Sequence, residues 1–335
     1  MNRRNFIRQS LATGTALGMT GVFTANAYQA APIRIGIIGL DTSHSPAFTK
    51  IFNVENSKPE FQGFKVVTAY PHGSKDIESS VSRIPKYTDE VKAMGVEIAD
   101  SIQSLLKKVD VVLLETNDGR LHKEQALMVI EAGKPMFIDK PVAASLTDAI
   151  AIYDAARKKN VPIFSCSSLR YMNSAQQVRY ENKIGKVLAA DTFSPATLEP
   201  HHPDLFWYGI HGVEILFTLM GKGCESVMRY NTPTTDIVIG QWSDGRVGTF
   251  RGTREGKHEY GGIAFGTDGN LVLERFEGYE ALAAKIAAFF KSKQSPIDDA
   301  ETLEIYAFME AADESKRKGG RVKLKDVMDK ANVKK

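Results

Sequence analysis

The chain has 335 residues, 43 lysines and arginines against 40 aspartates and glutamates, 43% hydrophobic residues and two cysteines. A formal charge of only +3 excludes the basic footprint of a nucleic-acid binder. Cys166 and Cys224 are too few for a disulfide framework and are expected as buried free thiols, with a single bridge between them as the alternative, while the length suffices for a large core and suggests two domains.

The first segment stands apart from the fold. Arg3 and Arg4 precede Phe6 and Ile7, and an uncharged stretch from Leu11 to Ala27 closes on Ala25-Asn26-Ala27. That is the layout of a twin-arginine export signal with a cleavage site, assigned to residues 1–27, and it predicts a periplasmic mature protein. The stretch is rich in Gly and Thr and falls short of the about 20 apolar residues that a spanning helix needs. Its removal takes away Arg3, Arg4 and Arg8 and no acidic residue, which leaves a formally neutral chain with no membrane attachment.

From Ile33 the pattern becomes regular. Ile33 to Gly39 is a β-branched run ending in glycine, which reads as a buried parallel strand feeding a turn. Ser45-Pro46, with Phe48, Ile51 and Phe52 at helical spacing, predicts a helix next. Phe64 to Ala69, Val109 to Glu115 and Pro135 to Ile138 are further strands, and Leu121 to Ala132 is a helix stopped by Gly133. Strands alternating with helices imply a Rossmann-like, doubly wound parallel sheet over residues 32–165.

Beyond Tyr171 the strands follow one another directly. Asp236 to Trp242 and Val247 to Gly252 flank the turn Ser243-Asp244-Gly245-Arg246, and Gly261 to Phe265 comes next. This predicts an α+β domain over 166–335 with a mainly antiparallel open sheet. Helices are expected at Ile210 to Met220 before that sheet, and at Tyr279 to Lys291 and Ala300 to Lys318 after it. The fold class is α/β, with the active site at the domain junction beside the carboxyl ends of the parallel strands.

Taken in order, several segments resemble the Gfo/Idh/MocA oxidoreductases. They are the Ile35 to Gly39 strand and turn, Thr116-Asn117 with His122, Ile138-Asp139-Lys140-Pro141, Leu169-Arg170-Tyr171, Gly209-Ile210-His211 with Glu214, and Phe265 to Gly269. The resemblance runs along nearly the whole mature chain. It implies a nicotinamide cofactor, and it makes Lys140 and His211 the residues flanking nicotinamide and sugar. Lys140 ends a strand, where it can hydrogen-bond a reacting hydroxyl. His211 is assigned as general acid or base.

Two departures from that pattern carry expectations of their own. A dinucleotide fingerprint reads G-x-G-x-x-G, but this chain has Gly39-Leu40-Asp41-Thr42-Ser43-His44 and keeps only the first glycine. An aspartate at the second position adds bulk and charge beside a pyrophosphate, while Thr42, Ser43 and the following helix start can still hold a phosphate. After the second strand stands His72-Gly73-Ser74-Lys75, with no acidic residue for a ribose, which favours NADP over NAD. Cofactor contacts are thus expected at Gly39, Asp41, Thr42, Ser43, His44, His72, Ser74, Thr116, Asn117, His122, Asp139 and Lys140. The second departure is Trp207, where many members carry an aspartate; Tyr208 beside it is a candidate catalytic phenol, and Trp207 a platform for a sugar ring.

Substrate contacts are expected from Arg170, Tyr171, His201, His202, Trp207 and Glu214. His201, His202, His211 and Glu214 have metal-ligand chemistry, but adjacent histidines on an extended chain face opposite ways, so a metal is not expected. The expected function is an exported oxidoreductase moving hydride between a tightly bound nicotinamide and a sugar, sugar acid or cyclitol, as a homo-oligomer. The alternative is a cofactor-free or metal-assisted carbohydrate-binding protein or lyase on the same scaffold.

Overall fold

A computed structural model describes residues 31–55 and 57–334; the export segment expected at 1–27 lies outside them. Six strands form an all-parallel sheet: β1 (Ile33–Ile38), β2 (Phe64–Tyr70), β3 (Glu97–Ile98), β4 (Val111–Leu114), β5 (Met136–Ile138) and β6 (Ile163–Ser165). Their spatial order is β3-β2-β1-β4-β5-β6, so the chain reverses direction across the sheet between β1 and β4. Ligands of such sheets lie outside the carboxyl ends at that reversal.

The local reasons are visible in the residues. Ile35, Ile37, Ile38 and all four residues of β4 are fully buried, as continuous apolar runs covered on both faces should be. Helices α1 (His44–Asn53), α2 (Glu78–Val81), α3 (Ile84–Ala93), α4 (Ile102–Leu106), α5 (Gly119–Glu131) and α6 (Leu146–Lys159) fill the crossovers. Asp118 caps α5 by accepting from the Arg120 amide at 2.9 Å, and Ser145 caps α6 from the Asp148 amide at 3.1 Å. Asn160, left-handed at φ 53°, ends α6.

The second sheet has seven strands in the order β12-β11-β7-β10-β9-β8-β13. They are β7 (Val187–Pro195), β8 (Cys224–Asn231), β9 (Thr235–Trp242), β10 (Val247–Thr253), β11 (Gly261–Gly266), β12 (Gly269–Val272) and β13 (Val322–Lys323). All neighbours are antiparallel except β7 and β10. Along β9 every second residue, from Asp236 to Trp242, is buried, the period-two signature of a sheet with one covered face. The cover comes from α7 (Asn173–Tyr180), α8 (Ile210–Met220) and α10 (Asp299–Lys318), with α11 (Leu324–Lys334) after them.

One helix crosses the domain division read from the sequence. α9 (Glu280–Ser292) belongs by position to the second half, yet Leu282, Ala283, Ile286, Phe289 and Phe290 pack in one cluster with Ile35, Phe48, Phe137 and Phe164 of the first sheet. Cys166 and Cys224 are both buried and free. Among the described residues no helix is long and apolar enough to cross a membrane.

Candidate functional site

The turn after β1 is built around one obligatory glycine. Gly39 has φ +93°, and a Cβ there would lie 2.5 Å from the Thr116 backbone, so only glycine lets β1 and β4 close together at this end. Asp41 follows with no exposed surface. Its Oδ1 accepts from the Asn117 amide at 3.0 Å, and its Oδ2 points at Gly73, where a Cβ would sit 2.0 Å away. Burial pushes this carboxyl above its usual range against the Asn117 hydrogen bond. Asp41 therefore ties the turn after β1 to the loop after β4 through Oδ1 and packs Oδ2 against Gly73. Gly73→Ala should lower the thermal midpoint, and should cost less in an Asp41→Gly background than in wild type, because the three atoms nearest to a Cβ at Gly73 all belong to the Asp41 carboxyl. Thermal denaturation of the single and double variants checks this; equal midpoints for wild type and Gly73→Ala would refute it.

A cavity of about 530 Å³ opens between the end of β2 and α5, lined among others by His72, Gly73, Ser74, Lys75, Arg120 and Gln125. Arg120, which the sequence reading passed over, spans it: its guanidinium pairs with Asp76 and with Asp118 at 2.6 Å, and reaches Ser74 Oγ at 3.4 Å. His72 is exposed and stacks edge-on against Tyr70 at 5.3 Å. At the other side of the turn α1 begins at His44 with Thr42 buried and Ser43 exposed. Ser43 makes no side-chain cap, and the first turn of α1 holds no acidic residue.

The loops after β4 and β5 carry the second half of the site. His122 is fully buried and ties these loops together, its Nδ1 2.8 Å from the Pro141 carbonyl oxygen and its Nε2 2.5 Å from that of Thr116. Glu115 and Asp139 end β4 and β5 facing His44, whose Nδ1 lies 3.1 Å from Asp139 and 3.6 Å from Glu115. Burial, helped by the Asp139 charge and opposed by His44, pushes Glu115 up to about 7. Asp139 goes the other way: burial opposes its charge, but His44 and Lys140 hold it down at about 2.

Lys140 sits one residue on, 7% exposed, with its Nζ 5.6 Å from the centre of the Tyr208 ring and no hydrogen bond or close ion pair among the described residues. Tyr208 comes from a π-helical turn, Leu205–Gly209, that enters α8 and is half-buried. The same ring lies 5.9 Å from that of His211, which Tyr260 flanks at 5.4 Å. All eleven residues of α8 are buried, so each polar side chain on it needs a partner. For His211 the partner is Ser167, whose Oγ is 2.7 Å from Nδ1. Burial, reinforced by the Lys140 charge, drives His211 well below its ordinary range and keeps it neutral. Lys140, His211 and Tyr208, the three catalytic candidates, thus meet at the carboxyl end of the parallel sheet.

The expected substrate residues are dispersed. Glu214, one helical turn beyond His211, is paired with Arg170, whose guanidinium also reaches Glu301 at 2.7 Å; Arg170 and Glu214 are 2% and 4% exposed. Their charges are committed to each other inside the core, which corrects the expectation that they orient a substrate. Tyr171 is also buried. The histidine pair splits as the alternation of side chains predicts: His201 is exposed against Glu199 at 2.8 Å, while His202 is buried against the Trp207 ring at 5.3 Å and pushed by burial down to about 4. His201, His202, His211 and Glu214 do not form a ligand set. Sequence reasoning missed Glu115, Arg120, Ser167, Tyr260 and Tyr279. Only Glu115 left a signal, a charge closing the apolar run Val111–Leu114.

A six-stranded parallel sheet in this order, with a polar cluster at its carboxyl edge and an open sheet behind, defines a Rossmann-type nucleotide-binding domain fused to an α+β domain. Residues 33–166 match the model of the oxidoreductase family with NAD-binding Rossmann fold, GFO_IDH_MocA. It is 36% identical over 96 residues to 1,5-anhydro-D-fructose reductase of Ensifer adhaerens, 28% of each chain. It is 25% identical over 162 residues to glucose-6-phosphate 3-dehydrogenase of Bacillus subtilis, 47% of this chain and 40% of the relative. The chain thus spans well under half the length of these curated relatives. Over nearly full length its fold is similar to scyllo-inositol dehydrogenase from Lactobacillus casei with bound NAD(H) and scyllo-inositol. There the TM-score is 0.68 at 18% identity, covering 88% of this chain and 99% of the other. Myo-inositol 2-dehydrogenase from Lactobacillus plantarum gives 0.70 at 16%, covering 87% and 99%.

Proposed function

We propose that the protein oxidises or reduces a CH–OH group of a sugar, sugar acid or cyclitol, with a bound nicotinamide nucleotide as hydride partner. The observation that carries the reading is the meeting of Lys140 and the neutral His211 against the Tyr208 ring, at the sheet edge where the family's chemistry takes place.

The residues fit a nucleotide lying over the turn. The buried Asp41 carboxylate is directed to Gly73 and Asn117 and leaves the uncapped start of α1 to attract a diphosphate, and the cavity beside α5 has room for the adenosine end. Backbone amides at Thr42 and Ser43 would hold the diphosphate. Lys75, Ser74 and the exposed His72 would meet a 2′-phosphate, which supports NADP over NAD. When bound, the nicotinamide supplies a two-electron hydride acceptor or donor.

The chain's own part is proton handling. The Lys140 ammonium donates to the reacting oxygen and favours its alkoxide as the C–H bond weakens. His211, oriented by Ser167 at Nδ1, has Nε2 as its remaining proton site and, being neutral, takes the hydroxyl proton in the oxidative direction. Tyr208 and Trp207 offer aromatic surface beside these groups, and His202 a neutral imidazole. Export by the twin-arginine route, supported by Arg3-Arg4 and Ala25-Asn26-Ala27, is part of the proposal, as is a homo-oligomeric state. An exported enzyme has no soluble nicotinamide pool and must keep and regenerate its cofactor.

The reading is tested by titrating the folded protein with NADPH and NADH, following quenching of its tryptophan fluorescence and the nucleotide's own emission. Saturable binding is expected, tighter for NADPH, with no change in Lys140→Ala. Absence of binding for both nucleotides, together with none released on denaturing the purified protein, would sink it.

A further inference from the structure

Three side chains next to Lys140 form an arrangement that the proton chemistry above does not use. His44 opens α1, Glu115 follows β4 and Asp139 follows β5, and three separate crossovers therefore aim them at one point. One ligand-type atom from each, His44 Nδ1 and a carboxylate oxygen from Glu115 and Asp139, lie within 4.8 Å of one another. The residues are 7%, 0% and 1% exposed. Polar atoms so deeply buried normally have partners, yet His44 Nδ1, both oxygens of Glu115 and both of Asp139 lack a hydrogen bond. The approach of Nδ1 to Asp139 at 3.1 Å is not a hydrogen bond in direction, and that to Glu115 at 3.6 Å is too long for one.

We infer that His44, Glu115 and Asp139 bind one divalent transition-metal ion, zinc or manganese, at the carboxyl ends of β4 and β5. The spacing is that of ligands around a common centre: bonds of about 2.0–2.2 Å in tetrahedral array put neighbouring ligand atoms roughly 3.3–3.6 Å apart. Two carboxylates and an imidazole match the charge and ligand preference of these ions. Three protein ligands leave a further coordination position, as catalytic rather than structural sites do. The His44 ring is held in place by Tyr279, edge-on at 4.6 Å, and by Phe48 at 5.8 Å. The cationic neighbour is Lys140, whose field reaches both carboxylates. The ligand class for the open position is an oxygen of a polyol or carbonyl substrate, which the ion would polarise. The inference does not depend on nucleotide binding.

The full chain, stripped with a chelator and dialysed, is titrated with zinc chloride and with manganese chloride by calorimetry, and thermal midpoints are taken with and without each ion. Binding near one ion per chain and a raised midpoint are expected. His44→Gln and Glu115→Gln should weaken binding by more than about tenfold, since even loss of a group behind the ligands costs that much. His201→Ala should bind as wild type does, which separates the site from the exposed His201–Glu199 pair. Absence of saturable binding in wild type, or binding that His44→Gln and Glu115→Gln both retain, overturns the proposal. The nucleotide titration is read separately, so either idea can fail alone.

Discussion

Replacing Lys140 with alanine should lower turnover by about two orders of magnitude or more, the usual contribution of a positioned proton donor. The effect should fall on the chemical step. Lys140 makes no hydrogen bond or close ion pair among the described residues and rests on the Tyr208 ring, so its removal breaks no direct contact and withdraws only the charge that reaches Asp139 and Glu115. Nucleotide affinity should persist, because the turn from Gly39 to His44, its helix start and the cavity beside α5 are untouched. The measurement is a coupled one: reduction of the nicotinamide with a panel of sugars and cyclitols, and nucleotide titration on the same preparation. A Lys140→Ala protein with full turnover would remove the residue from the chemistry.

Arg170→Leu should have the largest effect on stability. Its guanidinium is shared between Glu214 and Glu301, and Glu301 is shared in turn with Arg179 at 2.5 Å. Deleting one member of a buried ion group leaves uncompensated charge, at a cost of about 3–5 kcal/mol. Removing Glu214 together with Arg170, as Arg170→Met with Glu214→Leu, should return much of that loss, because Glu301 keeps Arg179. Urea denaturation of the two proteins gives the comparison. The measurement also separates structural from substrate roles: a substrate-orienting Arg170 predicts a raised KM at unchanged stability, and that outcome would restore the role its sequence position suggests.

Much of the architecture was legible in the sequence because it rests on periodicity. Helix α8 was read residue for residue as Ile210 to Met220, and β9 and β10 to within one residue. The strands left unread were β3 and β13, two residues each, β12 with four, β6 with three, and the longer β7 and β8. Val187–Pro195 mixes Ala, Asp, Thr and Ser and owes its strand to pairing with β10 and β11, which are far away in sequence. The three catalytic candidates met because motif and strand end coincide. Roles that depend on what lies across the fold were illegible. Arg170 looks like a binding residue until Glu301, 131 positions away, is found against it. Asp41 looks like an obstacle to a phosphate until Gly73 and Asn117 are seen to receive its carboxylate. His44 looked like a lost glycine, and its relation to Glu115 and Asp139 exists only after three strands are laid side by side.

The packing of α9 against the first sheet sets an order of events in time. Phe289 lies 4.8 Å from Phe164, and Leu282, Ile286 and Phe290 share its cluster with Ile35, Phe48 and Phe137. As the chain leaves the ribosome, the first sheet has all its strands by Ser165 but waits more than a hundred residues for the helix that shields one flank. A fragment cut at residue 165 would present that aromatic flank to water and aggregate. The half that carries the family signature is thus the first half made and one of the last to be finished.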